Sequence, residues 1–408
     1  MKARNIHQTS YDIVIIGAGI AGSTLALMLA KHTSYSIAVL DQQTLQFDLP
    51  EQGYAARISA LSFSNQQLFN ACGIWSALPK DRLCEYSKMH VWDNAQGDIV
   101  FDAGDSGLSH LGVMVENALL NYALIENLRE YDHVTLLPSI DLEQLLFESD
   151  GQAKTVFNRG NTDLSESITA KLVVGCDGAN SWVRNQMNIE CEIWDYQQKA
   201  IVANVTCEKP HHNVARQKFL STGPLAFLPL HHAHQNSIVW TLPNDLIDDI
   251  MALDEESFLK KLTTSFDGSL GEVYETSQRF AFPLKMRQAE CYVKNNVVLV
   301  ADAAHTVHPM AGQGLNIGLQ DVACLAQQLI KAHKQKKLVN HRLTLRRYER
   351  QRRTEVWDMI LGLETIKRCF EVQNPLFKAW LRRALKLLNK SELCKQQFVE
   401  IASAKQSL

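Results

Sequence analysis

The first fifty residues commit this chain to a particular kind of sheet. Tyr11 to Ile16 is an apolar run that ends in Gly17-Ala18-Gly19-Ile20-Ala21-Gly22. A helical stretch, Ser23 to Ala30, follows, and then a second strand, Ser36 to Leu40, closed by Asp41. Strand, glycine turn, helix and strand in that order form the βαβ unit that binds a dinucleotide. Gly17 permits the turn, Gly19 lets a pyrophosphate approach, and Gly22 lets helix and strand pack. The whole turn, with Ala18, Ile20 and Ala21, is therefore a cofactor-binding candidate. Asp41 stands 24 positions after Gly17, where it can accept hydrogen bonds from a ribose.

A second segment, 301–321 (ADAAHTVHPMAGQGLNIGLQD), narrows the ligand. It follows Val297 to Val300, a buried-strand pattern. Asp302 sits at the strand's end, within reach of a ligand. Pro309, Gly312 and Gly314 force a tight loop, and helical spacing begins at Leu315. A glycine loop entering a helix aims free N–H groups and a positive dipole end at whatever lies above it. That suits a cofactor which becomes negatively charged as it turns over.

Bulk properties exclude other classes. At 408 residues the chain is too long for one simple core, so two interlocked domains are expected. A net charge of −3 argues against nucleic acid as a partner. Nine cysteines without a C-x-x-C pair read as reduced thiols of a cytoplasmic protein. No run approaches the roughly 18 apolar residues of a membrane span. The polar first ten residues leave no room for a signal peptide. His211, His212, His231, His232 and His234 are irregularly spaced, with no carboxylate or cysteine beside them, so no metal is expected.

Nucleotide-type elements recur at 11–45, 168–184 and 297–325, with β-type runs between them, including 200–207, 225–230 and 237–242. Beyond 320 the pattern is helical. The expected fold is α/β: a Rossmann-like domain from discontinuous segments (1–80, 105–185 and 290–330), an inserted β-sheet domain (81–104 and 186–289) and a helical C-terminal region (331–408). Charged stretches at 331–337 and 342–353 read as solvated helix faces. Residues 375–390 read as a basic amphipathic helix that could rest on a bilayer, on the body or on a second subunit.

In these segments the chain resembles the FAD-dependent aromatic hydroxylases of the p-hydroxybenzoate hydroxylase fold, and within them the ubiquinone-biosynthesis hydroxylases. The resemblance covers roughly 11–355. It rests on 17–22, Arg57 to Leu61, Leu111-Gly112 with Glu116-Asn117, LVVGCDGANSWVR at 172–184, GPLAFLPL at 223–230, HPMAGQGLNIGLQD at 308–321, and Tyr348-Glu349 with Arg352. Three residues depart from the family pattern. Ala301 replaces a glycine, Ala118 replaces an arginine that would contact flavin, and Cys176 replaces an alanine.

The resemblance implies a monooxygenase that hydroxylates the ring of a polyprenylated phenol through a flavin C4a-hydroperoxide, with FAD as resident cofactor. Gly312, Gln313, Gly314, Leu315 and Asn316 would stabilise negative charge at the N1–C2 edge of the flavin. Asp302 would hold a ribityl or ribose hydroxyl. Arg57 would meet pyrophosphate or isoalloxazine. Asp177 would lie near the pyrophosphate, where NADPH or NADH visits as reductant. Phe219, Leu225, Phe227, Leu228 and Pro229 would form an apolar substrate wall. No catalytic base stands out. His305, flanking the loop with His308, reads first as a loop-ordering residue and is only a weak candidate for proton transfer. The expected partners are the polyprenyl phenol and O₂, with room for a homo-oligomer, a quinone-synthesis complex or peripheral contact with the inner face of the membrane. Rival readings are a hydroxylase of another aromatic or lipophilic metabolite, and a non-catalytic FAD-binding scaffold.

Overall fold

The computed structural model describes residues 9–47, 49–50, 53–93, 98–159, 165–307 and 313–371. The first sheet is built where apolar runs are longest. β1 (Ser10–Ile16), β2 (Ile37–Leu40), β8 (Val134–Leu137), β11 (Ser165–Gly175) and β19 (Val297–Leu299) lie parallel in the order β19-β11-β1-β2-β8. β9 (Ile140–Phe147) and β10 (Ala153–Arg159) form a hairpin on β11, and β18 (Val293–Lys294) pairs antiparallel at the outer edge of β19. Both faces of the parallel strands are buried: Ile13, Val14 and Ile15 have no exposed surface. Such strands read as continuous apolar runs rather than as alternations.

Helices cover this sheet. α1 (Ile20–His32) packs against both α3 (Asn117–Leu128) and α7 (Gln313–Lys334). α7 packs in turn against α8 (Arg342–Glu371). α2 (Phe63–Cys72) is capped by the Ser62 side chain and ends at Gly73, while α4 (Trp182–Gln186) is capped by Ser181. Among the described residues no helix is long and apolar enough to cross a membrane.

A nine-stranded sheet lies beside it. β5 (Lys88–Asp93), β6 (Asp98–Asp102), β12 (Cys191–Cys207), β13 (Val214–Leu220), β14 (Gly223–Pro229), β15 (Gln235–Pro243), β16 (Val273–Thr276), β17 (Phe280–Ala289) and β20 (His305–Thr306) make it up. α5 (Asn244–Ala252) and α6 (Glu255–Ser265) flank it; sequence analysis did not anticipate them. One face of the sheet supplies Ile201, Ala203, Leu225, Phe227, Ile238 and Trp240 to a core closed by Phe258, Leu262 and Phe266. A three-stranded sheet, β3 (Ile58–Ser62), β7 (Gly112–Glu116) and β4 (Cys84–Tyr86), stands against the other face. β20 is the link that matters most. It follows directly from the strand end carrying Asp302, yet hydrogen-bonds to β17 of the nine-stranded sheet.

Candidate functional site

Because β1, β2, β11 and β19 are parallel neighbours, their C-terminal ends share one edge of the sheet. That edge receives the Gly17–Gly22 turn, Asp41, Asp177 and Asp302. Ligands of open α/β sheets bind at such an edge.

The three turn glycines do different things. Gly17 has φ +103°, and a Cβ there would collide with the Cys176 carbonyl. A Cβ on Gly22 would strike the carbonyl of Gly17. Both exist for chain-to-chain approach. Gly19, in extended backbone at the N-cap of α1, has nothing within 4 Å of where a Cβ would stand. No side chain caps α1, so the first N–H groups of the helix remain available to an anion. Asp41 braces the turn: its Oδ2 accepts from Ala18 N at 2.6 Å and its Oδ1 from Gln43 N at 2.8 Å.

The second strand end is more tightly built. Ala301 sits at φ +55°, a conformation that favours glycine. Asp302 follows it, exposed to solvent on one side but crowded by protein elsewhere. That crowding raises its pKa, opposed by His305, Arg287 and Arg57 and reinforced by the negative charge of Asp321. Gly314, in the first turn of α7, again has open space where a Cβ would be, and Leu315 packs against the main core. Asn316 is buried and tied to β3 and α2: its Nδ2 donates to Ala60 O at 2.8 Å, and its Oδ1 accepts from Ser62 N and from Asn65 Nδ2, both at 2.9 Å. Its side chain therefore anchors the start of α7. Gln313 opens α7. Pro309, Gly312, His308 and the 375–390 segment lie outside the described residues.

The remaining polar candidates divide between ligand side and scaffold. Asp177 accepts from Val183 N at 2.9 Å through Oδ2, and its Oδ1 is buried without a hydrogen-bond partner; burial raises its pKa. Arg57 is exposed, with its guanidinium 5.1 Å from the centre of the Phe282 ring. The backbone before Arg57 is held by Glu116, which accepts from Ala55 N at 2.6 Å and pairs with Arg82 through two hydrogen bonds of 2.6 and 2.7 Å. Asn204 of β12 donates to Tyr54 O at 3.1 Å, fixing the same loop to the nine-stranded sheet.

Three residues quoted in the sequence motifs were given no role there. Arg184 is buried and joins two strand ends, donating to Ala303 O and Ala179 O at 2.9 Å each. Asp321 and Arg352 are fully buried and paired at 2.6 Å, so Arg352 corrects the reading of 342–353 as a purely solvated face. The signal was spacing. Leu345, Tyr348, Arg352, Val356 and Ile360 form one buried stripe, and a charge on such a stripe needs a partner. His305 is buried too, its Nε2 donating to Asp321 Oδ2 at 2.6 Å.

The expected apolar wall splits by strand alternation. Leu225 and Phe227 point into the core under α6, where Phe227 stacks on Phe266 with ring centroids 4.0 Å apart. Pro229 shares their side of β14 by register. Leu225 and Phe227 are thus core residues and not part of the expected substrate wall. Phe219 and Leu228 lie on the opposite face, with Ala226, Val239 and Val202 in neighbouring register positions. Phe282 of this face meets Arg57, and Leu228 packs near Ala60 and Met114 of the small sheet.

The sequence model described as "FAD binding domain" matches residues 10–361. The chain is 32% identical over 391 residues to the 3-demethoxyubiquinol 3-hydroxylase of Escherichia coli (strain K12), covering 96% of this chain and 98% of that one. It is 35% identical over 323 residues to the ubiquinone hydroxylase UbiL of Rhodospirillum rubrum, covering 79% of this chain and 73% of the relative. Among solved structures, p-nitrophenol 4-monooxygenase PnpA from Pseudomonas putida DLL-E4 has a TM-score of 0.79 at 17% identity, covering 98% of this chain and 100% of that one. At that identity the likeness concerns the fold alone.

Proposed function

This chain belongs to the FAD binding domain family, and from that membership we propose that it is an FAD-dependent monooxygenase hydroxylating the ring of a polyprenylated phenol in ubiquinone biosynthesis. The observation that carries the reading is the shared strand edge, where the glycine turn and three carboxylates, Asp41, Asp177 and Asp302, converge, in a chain similar over nearly its whole length to a quinone-ring hydroxylase. FAD, when bound, supplies the activation of O₂ and the transfer of one oxygen atom.

The chain's own residues bind and orient. The turn at Gly19 and the first N–H groups of α1 take the pyrophosphate, and Asp41 takes the adenosine ribose. Asp302 holds a hydroxyl of the ribityl or ribose. The start of α7, at Gln313-Gly314, favours negative charge on the pyrimidine side of the flavin. Arg57, restrained by Phe282 and the Glu116–Arg82 pair, covers the cofactor from the small-sheet side. Asp177 lies where a visiting nicotinamide nucleotide would dock.

The substrate ring is assigned to the face of the nine-stranded sheet bearing Phe219, Ala226 and Val239, where apolar side chains would keep water from the reacting ring. Contact with a membrane, a second copy or a quinone-synthesis complex belongs to the same proposal, since the substrate is membrane-borne.

The test is expression in a host that lacks quinone-ring hydroxylation, with mass spectrometry of its quinone intermediates. The proposal expects a product one oxygen heavier than the accumulated precursor. A yellow, FAD-loaded protein that restores no hydroxylated quinone at any ring position would direct the activity to another aromatic substrate. A protein that stays colourless with added FAD would favour the scaffold reading.

A further inference from the structure

Asp321 does more than neutralise a cation. It sits within α7 with no exposed surface, and three donors converge on it. Ala301 N reaches Oδ2 at 2.9 Å, His305 Nε2 reaches the same oxygen at 2.6 Å, and Arg352 Nε reaches Oδ1 at 2.6 Å. Ala301 and His305 bracket Asp302. One carboxylate therefore ties down both ends of the short turn that exposes Asp302. The turn needs this restraint, because Ala301 holds φ +55° without being glycine.

Arg352 is the other half of the device. It comes from α8, pairs with Glu355 and also donates to Ile317 O at 3.4 Å and Gln320 Oε1 at 3.3 Å. Two of its neighbours fix β19, which leads into the turn, and the residue before β18 beside it. Tyr348 Oη donates to Leu299 O at 2.8 Å, and Glu349 accepts from Tyr292 N at 2.8 Å. The ring of Tyr292 lies 5.7 Å from that of His305, centroid to centroid. A buried ionic cluster is weak evidence for stability alone, since apolar side chains can often replace one without loss. This cluster has a directional job: it references the Asp302 turn to α8.

We propose that Asp321, His305 and Arg352 are positioning residues that set the placement of Asp302 against the cofactor, and so govern FAD affinity and flavin potential. The proposal rests on the reading of Asp302 as a cofactor contact. The test is FAD titration and flavin midpoint potential on purified His305→Leu, Arg352→Lys and Asp321→Asn, beside Asp302→Ala. Leucine has no donor for Asp321 Oδ2, so His305→Leu removes one tie and leaves the Asp321–Arg352 pair intact; it is the variant expected to fold. We expect it to weaken FAD binding by about tenfold, as loss of a residue that orients a ligand-holding group does. The flavin that remains bound should have a displaced midpoint potential and altered absorbance, neither of which a purely structural role would move. A folded His305→Leu with wild-type affinity and potential, beside an Asp302→Ala that loses FAD, would overturn the proposal alone. Asp302→Ala decides the underlying reading separately. If it stays fully loaded with FAD, the contact assigned to Asp302 fails and the proposal with it.

Discussion

Gly17, Gly19 and Gly22 belong to one motif but should fail differently when given a side chain. Gly17 and Gly22 face backbone carbonyls, so substitution there damages the fold. Gly19 faces open space in extended backbone, so Gly19→Val should leave the melting of the FAD-free protein within roughly 1 kcal/mol of wild type. It should still abolish tight FAD binding, measured by fluorescence titration. The Ala301 methyl allows a second check at residue scale. A Cβ on Gly318 of α7 would stand 2.8 Å from the Ala301 Cβ. Gly318→Ala alone should destabilise by about 1–3 kcal/mol through overpacking. Ala301→Gly should stabilise by roughly 1 kcal/mol by relieving the positive φ. With both changes the penalty of Gly318→Ala should vanish, and additive urea-denaturation energies would refute the contact. A third prediction concerns acid. Burial alone would raise the pKa of Asp321, but the neighbouring His305 and Arg352 outweigh it and hold it below its usual value of 3.8. Stability from this group is therefore complete above that value and is lost as pH falls through the lowered pKa. Below about pH 4 the wild-type protein should lose an increment of stability that Asp321→Asn lacks.

At the scale of elements, the loop before β3 and strand β14 carry the clearest tests. Glu116, 1% exposed, is balanced by Arg82, and Arg82→Ala leaves it buried and unpaired. That should cost about 3 kcal/mol, a good part of it restored by adding Glu116→Gln, as a double-mutant cycle would reveal. On β14 the two faces should separate in kind. Phe227→Ala should lose about 3–5 kcal/mol of stability, because the ring is stacked in the core. Phe219→Ala should instead raise KM for the lipophilic substrate, with a smaller effect on folding. Sequence could not make that division, because GPLAFLPL is apolar throughout and α5 and α6 decide which side is core. Those helices were missed because they are short and carry several acidic residues. The β9–β10 hairpin was missed because its alternation is broken by a bulge between Val156 and Phe157. By contrast, the strands and helix of residues 11–45 were legible, since a buried parallel strand followed by a glycine turn has few alternative readings.

At the scale of the whole molecule, distant segments meet because parallel topology collects their ends. Residues 17–22, 41, 177 and 302 are spread over most of the chain, yet all stand at the C-terminal ends of adjacent strands. Their glycines and aspartates were readable in sequence, because turn chemistry demands those residue types. The roles of Arg184, Asp321 and Arg352 were not, because a buried charge looks like surface charge until the carbonyl or counter-ion it meets is known. The proposed function depends on this edge holding FAD for oxygen transfer to a quinone-precursor ring. The most direct measurement gives reduced, FAD-loaded protein isotopically heavy O₂ and a polyprenylated phenol, then weighs the product, with Gly19→Val as control. Wild type should place one heavy oxygen on the ring, and Gly19→Val none. Product oxygen drawn from water, or equal hydroxylation by Gly19→Val, would contradict the proposed function.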